Sequence, residues 1–199
     1  MLRFWFPTER PADRTAMVRQ AEWWFRGGAD AQIIERFSAL LERAARGEID
    51  SWSREPRSRL ALVIVLDQFS RSVYRGTART YAQDAKARGL VREGLETGHY
   101  SRLGTAFEKT FFLLPLGHSE DLTDLESAIE LAHGLIDEAP PEHRWWFEFS
   151  ASQARGQRGV VARFGRHPHR NEILGRASTA EELEFLARGE LVHTRPMPR

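Results

Sequence analysis

One run of seven residues constrains the fold more than any other: Leu60-Ala-Leu-Val-Ile-Val-Leu66. It has no polar position, so no face of it can be turned to water. A helix with this pattern is apolar all round and belongs at the centre of its domain. Pro56 suits the first turn of that helix, which the pattern carries to about Tyr74. Val63, Ile64 and Val65 are β-branched, which makes a strand the competing reading. Length favours the helix, and the chain offers no other convincing strand to pair with it. The run is also far below the roughly 20 residues that a membrane span needs.

Helical periodicity continues on both sides. Ile33, Phe37, Leu40 and Ala44 recur at spacings of three and four, and Gly47 is placed to end their helix. A weaker pattern runs from Arg14 to Phe25 and closes on Trp23-Trp24-Phe25, before Gly27-Gly28. Asp84 caps a helix through Thr97, closed by Gly98. Thr105 to Leu114 is helical, with Pro115 as the expected stop. Ser119-Glu-Asp121 opens the next helix with a cap and two acids, and Leu122, Leu125, Ile129, Ala132 and Ile136 form its buried face. Pro140-Pro141 breaks the chain before a helix from Trp145 to about Gly156. A short helical turn is expected at 170–174, and Ser178-Thr-Ala-Glu-Glu182 caps a last helix to Ala187. The expectation is one all-α domain over residues 1–187, built from about eight or nine packed antiparallel helices. Residues 188–199 read as a flexible C-terminal tail.

Composition narrows the function classes. The chain has 199 residues, 29 basic and 28 acidic, for a net charge of +1. A nucleic-acid-binding domain shows a strongly basic face, so no nucleic-acid partner is expected. Cysteine is absent, which removes disulfides, a thiolate nucleophile and Cys-ligated zinc. Met1-Leu-Arg-Phe-Trp-Phe-Pro7 is too short and too soon broken by Pro for a signal sequence. A soluble cytoplasmic protein with no membrane association and no cofactor is the expectation.

Three polar segments are candidates for chemistry. In Leu66-Asp-Gln-Phe-Ser-Arg-Ser-Val-Tyr-Arg-Gly-Thr-Ala-Arg79, Asp67, Arg71 and Arg75 stand four apart on one helix face. The plainer reading is an ion-pair ladder. The sharper one leaves one arginine free to hold a carboxylate or phosphate as a planar fork. Leu116-Gly-His-Ser-Glu-Asp121 precedes a helix N-terminus, where anions are favoured and a nearby imidazolium is disfavoured. His118 is therefore a candidate neutral general base or metal ligand, against a plainer reading as packing beside a helix cap. Arg163-Phe-Gly-Arg-His-Pro-His-Arg-Asn171 holds three arginines and two histidines. His167 and His169 share a face if the segment is extended, but no third ligand lies nearby, so no metal is expected. The plainer reading is a loop whose arginines tie helices together. Trp23, Trp24, Trp145 and Trp146 read as core anchors, or as an interface patch if exposed.

Taken together, these segments resemble the bacterial domain of unknown function 924 family. The resemblance runs through Phe4-Trp-Phe6, Trp24-Phe25, Asp30 to Phe37, Leu66-Asp-Gln-Phe-x-Arg71 and Tyr74-Arg-Gly-Thr-Ala-Arg79. It continues through Pro115 to Leu122, Arg163-Phe-Gly-Arg166, Pro168-His-Arg-Asn171 and Leu174-Gly-Arg176. It implies an all-α fold of the tetratricopeptide-like superfamily and no established activity. The chain departs from the family pattern at Ser70, Ser72, Leu125 and His167, and at Gln157 and Gly159, where a His and an Asp are usual.

The leading expectation is a pocket for a small anionic or zwitterionic ligand, lined by Asp67, Gln68, Arg71, Arg75, Arg163, His169 and Arg170. A hydrolase is the first alternative, with His118 or His169 as base and Asp67 or Glu120 orienting it. An interaction module is the second, with a protein partner or a second copy held by the aromatic pairs. These readings turn on whether residues 67–79, 118–121 and 163–171 meet around one cavity.

Overall fold

The computed structural model describes residues 1–189 and 191–196. Ten α-helices are joined by 3-10 turns, and no strand occurs among the described residues. They are α1 (Leu2–Trp5), α2 (Arg14–Phe25), α3 (Asp30–Ala45), α4 (Pro56–Ile64), α5 (Ser70–Val73) and α6 (Asp84–Glu96). α7 (Ala106–Gly117), α8 (Leu122–Glu138), α9 (Arg144–Phe164) and α10 (Ala180–Ala187) complete the chain.

The apolar run is the central helix, and the strand reading is set aside. Pro56 sits at the first helical position, where its missing N–H costs nothing, and Glu55 before it is extended. Leu60 and residues 62–66 are all fully buried, because α3, α6 and α7 pack around them. α4 does not pass smoothly into α5. Residues Val65–Phe69 form a π-turn, a one-residue bulge in the helical ladder. Such bulges recur at functional sites. This one falls on Asp67 and Gln68.

An aromatic cluster closes one side of the core. The Phe111 ring lies 5.4 Å from Trp5, 4.7 Å from Trp24 and 5.6 Å from Phe25, centroid to centroid. Trp24 Nε1 donates to the Trp5 carbonyl at 2.9 Å, which ties α1 onto α2. α8 and α9 form an antiparallel pair. Asp137 meets Arg144, His133 meets Arg155 and Glu126 meets Arg158, so numbers fall along one helix as they rise along the other.

Four expected boundaries are corrected. Pro115 does not end α7, which runs to Gly117. Proline removes only its own hydrogen bond, and His118 N closes the last turn onto the Leu114 carbonyl at 3.0 Å. The cap of α8 is Asp121, which accepts from Thr123 N at 2.9 Å. Ser119 instead donates to Asp124 at 2.7 Å. α9 passes Gly156 and ends at Phe164, closed by Gly165 in the left-handed region at φ 69°. Gly156 is needed for close approach, since a Cβ there would stand 3.0 Å from Val192. The expected turn at 170–174 begins earlier, as a 3-10 turn at Pro168–Arg170.

The expected C-terminal tail packs over part of its length. Val192–Thr194 form a 3-10 turn, and Val192 is 4% exposed against α9. Arg26 Nη2 holds this segment by donating to the carbonyl of Arg195 at 2.9 Å. Glu190 and residues 197–199, part of the same expected tail, lie outside the described residues.

Candidate functional site

The bulge, the end of α7 and the turn after α9 converge on one cavity of about 460 Å³. Gln68, Arg71, Arg75, His118, His169 and Arg170 all line it. Parts of all three polar segments therefore meet.

Asp67 stands behind this wall, 1% exposed. Its Oδ1 accepts from His118 Nδ1 at 2.8 Å and pairs with Arg71 Nη1 at 3.1 Å. Gln68 Nε2 donates to its Oδ2 at 2.6 Å. Burial works against the carboxylate charge, but Arg71 and His118 outweigh it and hold Asp67 well below the ordinary carboxylate range. An ionised Asp67 requires the proton on His118 Nδ1, which leaves Nε2 as the ring's other polar atom. The sequence reading placed His118 just before a helix N-terminus. It stands three residues before Asp121, the N-cap of α8, and is also the C-cap of α7, because that helix continues past Pro115.

The arginines sort differently from the expected ladder. Arg71 is saturated: it pairs with Asp67, donates to the Asp67 carbonyl at 2.7 Å and binds Asp84 through two nitrogens at 3.1 and 3.2 Å. Burial opposes its charge, but Asp67 and Asp84 raise its pKa overall. Arg75 leaves the face because α5 ends at Val73, and it pairs with Asp30 at 2.6 Å. Neither is the free fork envisaged from the sequence.

Arg170 comes closest to that description. It is 7% exposed. Its Nη2 donates to the His118 carbonyl at 2.9 Å, and its guanidinium lies 4.7 Å from the Tyr81 ring centroid. Its nearest carboxylate contact is Asp84 at 3.6 Å, an oxygen already committed to Arg71, and its Nε is buried with no partner. Burial is the main cause that lowers its pKa below the ordinary guanidinium value.

A second ring of imidazoles flanks Arg170. His169 lies against His193, with centroids 4.7 Å apart and ring planes tilted by 49°, and both line the cavity. Burial, then the positive groups His193 and Arg170, push His169 down to about 3. It has no carboxylate partner, so of the two candidate bases only His118 has an orienting acid. His167 is buried outside the cavity lining, and its Nε2 meets the Ser119 carbonyl at 3.1 Å. Burial and Arg170 push it to about 3 as well. Between pH 6.5 and 3 the unfolded chain binds a proton at His167 that the folded chain does not, so this residue withdraws stability as pH falls through that window. His167→Phe removes the penalty. Its melting temperature relative to the parent should rise between pH 7.5 and pH 5, by the equivalent of about 2 kcal/mol. An unchanged difference at the two pH values would refute the assignment.

Two candidates lie elsewhere. Arg163 is on the outer face of α9, bound to Glu181 at 2.8 and 2.6 Å. Glu120 is a clasp, accepting from Arg176 at 2.8 and 3.0 Å and from the His167 N–H at 2.8 Å. It orients no imidazole ring. Burial opposes its charge, but Arg176 and the His167 N–H hold its pKa below the usual value.

The cavity also has walls that the sequence did not point to. Arg26, His193 and Arg195 complete its charged side, and Gln157 lines it too. Trp24, Phe25, Leu135, Trp146 and Phe149 form the apolar side. These aromatics carry helical periodicity, the signal of ordinary core residues, so no pattern distinguished them. Trp24 and Trp146 are buried, as core anchors are.

No helix among the described residues is long and apolar enough to cross a membrane. None of the functionally curated proteins is significantly similar to the chain. A protein of unknown function from Agrobacterium tumefaciens has a similar solved structure, with 33% identity and a TM-score of 0.72. The similarity covers 89% of this chain and 100% of that one. The profile of a bacterial family of unknown function matches residues 1–190. The chain therefore belongs to that family, domain of unknown function 924.

Proposed function

We propose that this protein binds a small organic anion in the cavity beside Arg170. The observation that carries the reading is the state of that guanidinium. It is buried, its nearest acid is shared with Arg71, and one of its nitrogens has no partner. A buried cation in this state is unfavourable alone and favours an incoming carboxylate or phosphate. Five arginines line the cavity, of which Arg71 is held by Asp67 and Asp84 and Arg75 by Asp30. The neutral His169 adds a ring N–H that can donate to an anion.

A second reading, hydrolysis of the bound molecule, is favoured by the Asp67–His118 pair at 2.8 Å. A carboxylate that fixes the tautomer of an imidazole lining a cavity is the arrangement of a general base. One experiment addresses both. A panel of carboxylates, phosphate monoesters and carboxylate esters is titrated against the purified protein by calorimetry, and each mixture is then assayed for product. Saturable binding of acids with no turnover supports the binding reading. Turnover of an ester that is lost in His118→Gln, with binding retained, supports the hydrolase. Absence of binding by every anion overturns the proposal.

A further inference from the structure

We infer that the molecule this cavity takes is an amphipathic acid, with an anionic head beside Arg170 and an elongated apolar body lying between α7, α8 and α9. The inference rests on the anion-binding reading and adds the other half of the ligand.

The lining is segregated by charge. Every charged lining residue comes from the segments around residues 26–30, 71–75, 118, 169–170 and 193–195. The three helices contribute none. α7 presents Thr110, Leu113, Leu114 and Gly117; α8 presents Ala128, Ala132 and Leu135. α9 presents Trp146, Phe147, Phe149 and Ala154, with the uncharged polar Ser150, Gln153 and Gln157 nearer the charged end. Each set recurs at helical spacing, so three whole helix faces turn toward a common space.

The direction of that space follows from the helices. α7 delivers His118 at its C-terminal end, so Thr110 lies about 12 Å back along the axis, at 1.5 Å per residue. On α9 the charged end is marked by Gly156, which touches Val192 and Arg195. Trp146 lies roughly 16 Å from Gln157 along the same axis. The arm is therefore elongated, and it leads away from Arg170. Its walls carry small residues, Gly117, Ala128, Ala132 and Ala154, at positions where Leu or Ile would fill the space. Its apolar far end, with Phe25 stacked 6.1 Å from Trp146, suits a hydrocarbon chain. The volume of about 460 Å³ is within the range of pockets that enclose an organic molecule.

The test titrates the full chain with butyrate, octanoate, decanoate and decyl phosphate, with decanol and decylammonium as controls. Affinity should tighten about threefold to fourfold per added methylene. Decanoate should bind at least tenfold more tightly than either control. Ala132→Trp, which fills the arm, should abolish the chain-length gain. Should that variant fail to fold, Leu135→Ala lengthens the arm and should move the optimum to a longer acid. Short acids that bind with no dependence on chain length overturn this inference and leave the anion reading standing. Decanol binding as tightly as decanoate overturns the anionic head. Failure of every acid to bind overturns both.

Discussion

Replacing Arg170 with Met is expected to weaken binding of the tightest acid by about a hundredfold, the usual scale for losing a buried charge-assisted contact. Stability should stay the same or rise. Arg170 is buried, its nearest carboxylate is shared, and its Nε is unpartnered. An apolar side chain of similar length removes a desolvated charge whose compensation is poor. The Nη2 bond to the His118 carbonyl is lost, at a cost of about 1 kcal/mol, which offsets part of the gain. Opposite signs in affinity and stability are the mark of a functional residue held at some cost to the fold. Calorimetry and thermal unfolding on one preparation measure both. Affinity kept within threefold of the parent would place the anion elsewhere. A clear loss of stability would show that Asp84 compensates Arg170 better than the 3.6 Å contact indicates.

Asp67→Asn is expected to destabilise the protein by about 3 kcal/mol at neutral pH, the scale for removing one partner of a buried ion pair. It leaves the half-buried Arg71 with Asp84 as its one acidic partner and removes the charge that meets His118. Adding Arg71→Met to it should recover part of the loss, because the stranded cation is then gone. The pH dependence gives an independent check. The Asp67 pKa is depressed in the folded state, so its contribution is complete above the ordinary carboxylate pKa and fades as pH falls below it. Urea unfolding of parent and variant should therefore differ fully at pH 7, begin to converge below about pH 4 and meet only well below that. A gap that persists in acid would mean that the variant acts through packing instead of charge.

Much of the helical frame was legible because its signals are local. The all-apolar run, the Gly47 and Gly98 terminators and the Thr179–Glu182 capping box each act within one or two turns. The family resemblance was legible for a similar reason, since its motifs are contiguous. The site was legible only in part. Asp67, His118, His169 and Arg170 meet at the cavity or directly behind it. Arg163 is near them in sequence but lies on the other side of α9. Neighbours along a helix point in different directions, and a motif does not reveal which of its residues face inward. The π-turn left no trace, because one extra residue where the apolar run gives way to Asp67 and Gln68 has no sequence pattern of its own. The apolar arm was read as core for a deeper reason. Helix faces that line a greasy cavity carry the same periodic pattern as faces that pack against each other. Only the missing volume separates them, and volume is a property of the assembled fold.

The π-turn at Val65–Phe69 works as a phase adjuster. Each helical residue turns the chain by about 100°, so one extra residue resets the azimuth of everything after it. The half before the bulge is oriented by the core; the half after it aims Arg71 at Asp84. Shortening the turn by one residue would leave the composition of the site intact and rotate its parts out of alignment. In this protein a single inserted residue makes the most deeply buried helix also the one that carries polar groups to the cavity.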